Sequence, residues 1–319
     1  MEPLKPSISS QQTTHHLMMV RPIRFGYNAE TATNNAFQHE DKTHTPEEIQ
    51  SMALAEFDRA VSILRDAGVE VSVIEDTPEP FTPDSIFPNN WISFHADGTI
   101  LQYPMFAENR RKERRPEIVD EMASKYSAPH HLSLADLEED GLFLEGTGSM
   151  ILDRKNRIAY ANRSPRTHEE AFEIFCSMAG YTGVLFTATD GQGQDIYHTN
   201  VLMALGRNLA VLCLDSVENP DDKDMLQKSL ARTGHDILAI SREQVNQFAG
   251  NMLEVQNGEG KPYWVMSQRA YDSLTTEQKA QISQSAEPLV VPLDVIETQG
   301  GGSVRCMMAE VFLPQSPSS

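Results

Sequence analysis

The chain has 319 residues, with 26 basic against 46 acidic side chains and a formal net charge of −20 at pH 7. So strong a negative balance argues against nucleic acid or an anionic membrane surface as a partner, since both would repel it. A hydrophobic share of 39% is enough for a real core. No basic, apolar, small-residue leader opens the chain and no long apolar span interrupts it, so a cytoplasmic protein is expected. Cys176, Cys213 and Cys306 are widely spaced and give neither a disulfide framework nor a zinc spacing.

Residues 1–16 are rich in Ser, Pro, Gln and Thr and are expected to form a mobile tail, as are 314–319. Between them, 17–313 reads as a single domain. Leu17 to Phe25 is an extended apolar run. Thr45-Pro46-Glu47-Glu48 opens a helix over 46–67, with a cap residue ahead of Pro and acids. Val69 to Ile74 is again extended. Hairpins are predicted from four pairs of apolar runs with Gly, Asn or Asp in the turns. The first pairs Trp91–Phe94 with Thr99–Tyr103. The second pairs Ser149–Leu152 with Arg157–Tyr160. The third pairs Val201–Leu205 with Leu209–Leu214, and the fourth Met252–Val255 with Tyr263–Met266. Helix-compatible stretches follow them, at 110–126, 166–179, 221–233 and 272–284. The last apolar run, 305–313, would pair with the first. One unit therefore recurs five times, and pairing the chain ends closes a ring and is expected to remove exposed sheet edges.

Polar residues enter these hairpins at a near-constant period. Glu145 precedes His198 by 53 residues, His198 precedes Asn251 by 53, Asn251 precedes Cys306 by 55, and Asp84 precedes Glu145 by 61. Equivalent positions in a ring of modules converge on its axis. An acid, a base and a thiol would then meet there, which is a familiar way to attack a trigonal carbon. Cys306 follows Gly300-Gly301-Gly302 and sits beside the cationic Arg305, where a reactive thiolate is expected; taken alone it also fits a small buried core residue. Glu145 follows an apolar run and precedes flexible glycines, so it is read as holding His198 or a substrate N–H group. Asp84, in Phe81-Thr82-Pro83-Asp84, reads locally as a turn or cap aspartate. Asn251 either faces the channel or is an ordinary strand-entry residue, with the second reading preferred.

Together, Phe81-Thr82-Pro83-Asp84, Glu145-Gly146, His198-Thr199-Asn200 and Gly300-Gly301-Gly302 through Cys306 resemble the guanidino-group-modifying superfamily. It includes arginine deiminases, agmatine deiminases, dimethylargininases and amidinotransferases. The resemblance runs from about residue 17 to 313 and is greatest toward the amidinotransferase-like branch with citrulline-utilisation hydrolases. It implies the five-bladed α/β propeller, or pentein, which agrees with the repeat. It also implies a cysteine nucleophile at Cys306, a histidine acid/base at His198, and substrate-binding acids at Asp84 and Glu145. Arg110 (or its neighbour Arg111) and Arg163 resemble the family's two arginines that grip a substrate carboxylate.

Two departures bear on substrate. The deiminase His-x-Asp is His198-Thr199-Asn200 here, and Glu-Gly-Gly-Asp is Glu145-Gly146-Thr147-Gly148-Ser149. A guanidinium favours carboxylates around it, whereas a neutral ureido group offers donors and an acceptor that Asn200 would match. The expected function is therefore hydrolysis of a ureido or guanidino amino acid, citrulline foremost, giving ornithine, carbon dioxide and ammonia through a thio-carbamoyl enzyme. A guanidine hydrolase of the deiminase or dimethylargininase type comes second, an amidinotransferase third. A non-catalytic propeller of the kind that binds ribosomal particles is the distant alternative. No metal or organic cofactor is called for. The partner is a small amino-acid substrate, and the sequence neither demands nor excludes a homodimer.

Overall fold

The computed structural model describes residues 11–316. β1 (His16–Arg21) runs parallel to β2 (Glu70–Glu75), and the helix Pro46–Asp66 carries the chain between them. That helix starts where the sequence predicts. Thr45 accepts from the Glu48 backbone N–H at 3.2 Å, while the Glu48 carboxylate accepts from the Thr45 N–H at 2.8 Å. This reciprocal cap satisfies donors that the first turn leaves unpaired. Its Ile49, Ala53, Phe57, Ala60 and Leu64 form one buried stripe. Full burial of a side chain such as Phe57 contributes about 3 kcal/mol.

The four predicted hairpins all form. They are β3 (Ile92–Phe94) with β4 (Thr99–Gln102), β6 (Met150–Asp153) with β7 (Ile158–Asn162), β9 (Met203–Leu205) with β10 (Leu209–Leu212), and β12 (Leu253–Gln256) with β13 (Pro262–Ser267). After each hairpin the chain returns through a helical segment to a third strand, parallel to the second. These third strands are β5 (His130–Ser133), β8 (Thr182–Phe186), β11 (Asp236–Ala239) and β14 (Glu287–Val291). The last strand, β15 (Ala309–Glu310), pairs antiparallel with β1 and so completes the blade begun at the other end of the chain. The result is a five-bladed α/β propeller. The first strands line the axis, with β15 beside β3, β6 beside β9 and β9 beside β12.

Several expectations need correction. Closure joins the chain ends but leaves five separate three-stranded sheets, so each blade keeps an outer strand edge. The stretch 110–126 splits into Glu108–Arg111 and Pro116–Lys125, because Pro116 can start a helix but not continue one. The helix expected over 166–179 is Glu169–Ala179, since Ser164 and Thr167 exchange backbone hydrogen bonds in a tight turn first. The stretch 272–284 breaks where Thr275 caps a new helix, Thr276–Ser285. Cys306 sits in successive tight turns, with Cys306 N–H donating to Ser303 O at 2.9 Å and Met307 N–H to Val304 O at 3.2 Å, so the strand is shorter than 305–313.

The segment 11–16 is packed, not a tail, and 314–316 is tied down as well; the remainder of the two expected tails, 1–10 and 317–319, lies outside the described residues. Gln12 Nε2 donates to Leu152 O at 3.0 Å and to Leu205 O at 3.4 Å, and its Oε1 accepts from Arg154 N–H at 2.8 Å. Thr14 Oγ1 donates to Val311 O at 2.7 Å. The segment thus crosses the axis at the C-terminal ends of the inner strands and satisfies carbonyls from different blades. At the other end, Pro314 O accepts from Ser127 N–H at 2.9 Å and Gln315 bridges to Tyr126. Among the described residues, no helix is long and apolar enough to cross a membrane.

Replacing Gln12 with alanine leaves buried carbonyls of β6 and β9 and one buried N–H unpaired. We expect a stability loss of about 2–3 kcal/mol, at the upper end for stranded buried polar groups. Urea denaturation would show it as a lower midpoint at unchanged slope; an unchanged midpoint would contradict this role for the segment.

Candidate active site

The site lies at the opposite, N-terminal ends of the inner strands. Glu145 and His198 are each the residue just before a single helical turn, Gly146–Ser149 and Thr199–Leu202, that leads directly into β6 and β9. This shared local geometry is the structural origin of their 53-residue spacing. Cys306 arrives through the turns before β15. A narrow cavity of about 20 Å³ is lined by Cys306, His198, Asp84, Asn90, Arg110 and Arg166, with Thr31, Asn35, Phe87, Tyr197 and Gly300 to Gly302 around them. That volume suits a single water.

His198 Nε2 lies 2.7 Å from Glu145 Oε2. An ionised carboxylate only accepts, so Nε2 carries the proton and the Nδ1 lone pair is left for chemistry. Burial pushes the His198 imidazole down to about 4, against the raising effect of Glu145. Burial opposes ionisation of Glu145, but Arg166, the His198 hydrogen bond and Arg110 together hold its carboxyl below the usual range. Glu145 is fully buried, and its other oxygen accepts from Phe106 N–H at 3.0 Å. Both of its oxygens therefore face protein, and Glu145 orients His198; it does not line the cavity, contrary to the expectation that it could hold substrate.

Cys306 Sγ receives two amide donors, Asn251 Nδ2 at 3.2 Å and Asn200 Nδ2 at 3.4 Å. Asn251 Oδ1 accepts from Arg305 N–H at 3.2 Å, which fixes that amide with its donor toward sulfur. Asn251 is therefore no ordinary strand-entry residue, and its place in the 53-residue series was the sequence signal for it. Asn200 Nδ2 faces the thiol, its Oδ1 is buried without a protein partner, and the residue does not line the cavity, so it is not placed to meet a substrate carbonyl as expected from sequence.

Asp84 is buried. Its Oδ2 accepts from Asn28 Nδ2 at 2.7 Å and Thr31 Oγ1 at 3.2 Å, while Oδ1 has no protein partner. Burial raises the Asp84 carboxyl above its ordinary value, with Arg110 working against that. Asn90, which sequence reasoning missed, holds the hairpin-entry place of its own blade. Its Oδ1 accepts from Arg110 Nη1 at 2.8 Å, and its Nδ2 is buried without a protein acceptor. Gly148 makes room here: a Cβ at that position would clash with Asn90 Nδ2 and lie 2.9 Å from His198 Nδ1.

The two arginines differ from expectation. Arg163 is 40% exposed and pairs with Glu169 on the outside, because the tight turn at Ser164–Thr167 puts Arg166 inward instead. Arg166 is buried, stacks over Tyr197 and lies 3.5 Å from Glu145 Oε2; its other nitrogens donate to Thr31 O and Asn34 Oδ1. Arg110 does reach the site, and Arg111 does not line it. Every guanidinium nitrogen of Arg110 already has a protein acceptor, among them Glu113, Asn90 and Phe87 O. Among the described residues, no group of three His, Cys, Asp or Glu side chains is placed to hold a metal ion.

The sequence profile of a family described as N,N dimethylarginine dimethylhydrolase, eukaryotic, matches residues 21–313. The chain belongs to this family. Its members are hydrolases of C–N bonds at guanidino-type groups, within the guanidino-modifying pentein superfamily. No curated protein matches the sequence. Among solved structures the dimethylarginine hydrolase fold recurs. ArgZ, an arginine dihydrolase from the ornithine–ammonia cycle in cyanobacteria, superposes with a TM-score of 0.73 at 15% identity, over 95% of this chain. The chain spans 41% of that ArgZ chain but 98% of the ArgZ N-terminal domain solved separately (TM-score 0.72, 14% identity, 94% of this chain). A dimethylarginine dimethylaminohydrolase carrying an S-methyl-L-thiocitrulline adduct matches at TM-score 0.63 and 15% identity, over 93% of this chain and 99% of its own. At these identities the likeness establishes the fold.

With its pKa near 4, His198 is neutral throughout the physiological range. Its imidazole resonances, followed by NMR from pH 5.5 to 8, should not titrate. A midpoint near 6.5 would contradict the buried, Glu145-oriented imidazole.

Proposed function

We propose that this hydrolase cleaves the bond between the ureido carbon and the side-chain nitrogen of a ureido amino acid, citrulline foremost, using Cys306 as nucleophile. Support comes chiefly from Asn90. Its orientation is set by Arg110 on Oδ1, which leaves this cavity-lining residue with a buried N–H donor that has no protein acceptor. A guanidinium carries only donors on its nitrogens and has nothing to offer that N–H. A ureido group has a carbonyl to accept it and N–H groups for the unpartnered Asp84 Oδ1.

In this reading the His198 Nδ1 lone pair takes the Cys306 proton, and sulfur attacks the ureido carbon. The C–Nδ bond breaks as His198 returns the proton to the departing amine, releasing ornithine. A carbamoyl group remains on sulfur. Water deprotonated by His198 then attacks it, the C–S bond breaks, His198 returns the proton to sulfur, and the carbamate released breaks down to carbon dioxide and ammonia. Asn200 and Asn251 steady negative charge on sulfur at each stage. Arg166 grips the substrate carboxylate once Thr31 and Asn34 withdraw, and they must, because an amino acid does not fit about 20 Å³.

A second reading, hydrolysis of arginine or a methylated arginine, is favoured by the family match and by the carboxylate of Asp84. Purified protein assayed on L-citrulline, L-arginine and dimethyl-L-arginine separates the two. Ornithine from citrulline, abolished in Cys306→Ala, is the expected result. Citrulline formed from either guanidino substrate, with citrulline itself inert, would overturn the ureido reading. The arginine assignment has its own check. Arg166→Ala should raise KM at least tenfold while Arg163→Ala leaves it within about twofold, as charge-assisted hydrogen bonds differ from exposed pairs. The reverse order would restore Arg163 as the grip.

A further inference from the structure

Behind the cavity, Glu113 carries no role in the chemistry above, yet it is 3% exposed and forms a two-pronged pair with Arg110. Arg110 Nε donates to Glu113 Oε1 at 2.8 Å and Nη2 to Oε2 at 2.9 Å. The third corner of the same guanidinium, Nη1, holds Asn90 Oδ1 at 2.8 Å. The fork is planar and rigid, so fixing two corners fixes the third. Arg110 Nε also lies 3.8 Å from Asp84 Oδ2, close enough to turn onto that carboxylate were Glu113 not holding it.

We propose that Glu113 is a specificity-determining positioning residue: by clamping Arg110 it fixes which end of the Asn90 amide faces the substrate and keeps Asp84 Oδ1 unpaired. This rests on the ureido reading for the substrate named, but the clamp itself is a statement about three side chains. A carboxylate is required at 113 because a guanidinium offers two parallel donors, and only a carboxylate accepts both. Glutamine there accepts one and presents an N–H to the other. Arg110 then rotates toward Asp84, the Asn90 amide loses its anchor, and its oxygen becomes as available to the cavity as its nitrogen. A site that read a carbonyl then reads an N–H instead.

The experiment compares kcat/KM for L-citrulline and L-arginine, which differ at the one position Asn90 faces, in wild type, Glu113→Gln and Glu113→Asp. In E113Q the citrulline-to-arginine ratio should fall on the order of tenfold, the scale of one hydrogen bond gained or lost. E113D keeps the charge but reaches only one prong, and should fall between. A purely structural Glu113 would lower both activities by the same factor, and an unchanged ratio in both variants overturns the proposal. If E113Q does not fold, E113D carries the test, and an unshifted ratio there overturns it equally. A crystal structure of the variant separates this from the substrate reading. Should wild type act only on arginine, the ureido reading fails, and the clamp still stands if Arg110 has left Asn90 Oδ1. Arg110 still bonded to Asn90 in the variant overturns the clamp whatever the substrate.

Discussion

Pairing of β1 with β15 is the constraint on which the rest depends. Two ladder positions, Leu17 with Glu310 and Met18 with Ala309, join the ends of the domain. Cys306 lies just before β15, and the residues it must meet, Asn200 and Asn251, come from the middle of the chain. Without that pairing the thiol would lie at the end of a loose strand, more than 100 residues from Asn200. With it, the turn before an inner strand becomes the same point in space for each blade. The site is a consequence of closure, and the side chains found there are those that the repeat delivers.

That dependence explains what could be read from the sequence. The ββαβ unit was legible because each hairpin has its own turn chemistry, as in Asp153 to Asn156, where Asp153 Oδ1 accepts from the Asn156 N–H at 2.8 Å. Glu145, His198 and Cys306 were legible because a period marks them. Arg166 was not, since only the backbone pairing of Ser164 with Thr167 decides that it turns inward and Arg163 outward. Asn90 escaped because Pro88-Asn89-Asn90 reads as a polar turn, and nothing local shows that Arg110 orients its amide. Residues 11–16 were misjudged on composition: Gln and Thr suit a solvated tail, but equally suit a strap that must satisfy carbonyls from several blades.

The site concentrates charge in a narrow space. Asp84, Glu113 and Glu145 face Arg110 and Arg166, all nearly inaccessible. Separately, each buried ion would carry a heavy desolvation cost; here Arg110 is hydrogen-bonded to Glu113 and lies 3.8 Å from Asp84, Arg166 lies 3.5 Å from Glu145, and removing any one leaves its partner's charge buried and uncompensated. Burial pushes the Glu113 carboxyl upward, and the two-pronged pair with Arg110 pulls it back and holds it ionised. The segment over the mouth completes the network, with Asn28 and Thr31 on Asp84 and Thr31 and Asn34 on Arg166. Its side chains and the Thr31 carbonyl occupy the groups that the proposed substrate's head and carboxylate would claim, so binding in that reading would be an exchange of partners and not the filling of a polar void.

The strap formed by Gln12 and Thr14 stops the axis at the end away from the thiol. The propeller is thus a blind well and not a tunnel, and everything that enters or leaves Cys306 shares one mouth. Under the two-step chemistry proposed for Cys306, a first product would have to clear that mouth before water could reach sulfur from the same side. Order of release would then be built into the architecture, and an acceptor amine in the mouth in place of water would divert the bound group to itself.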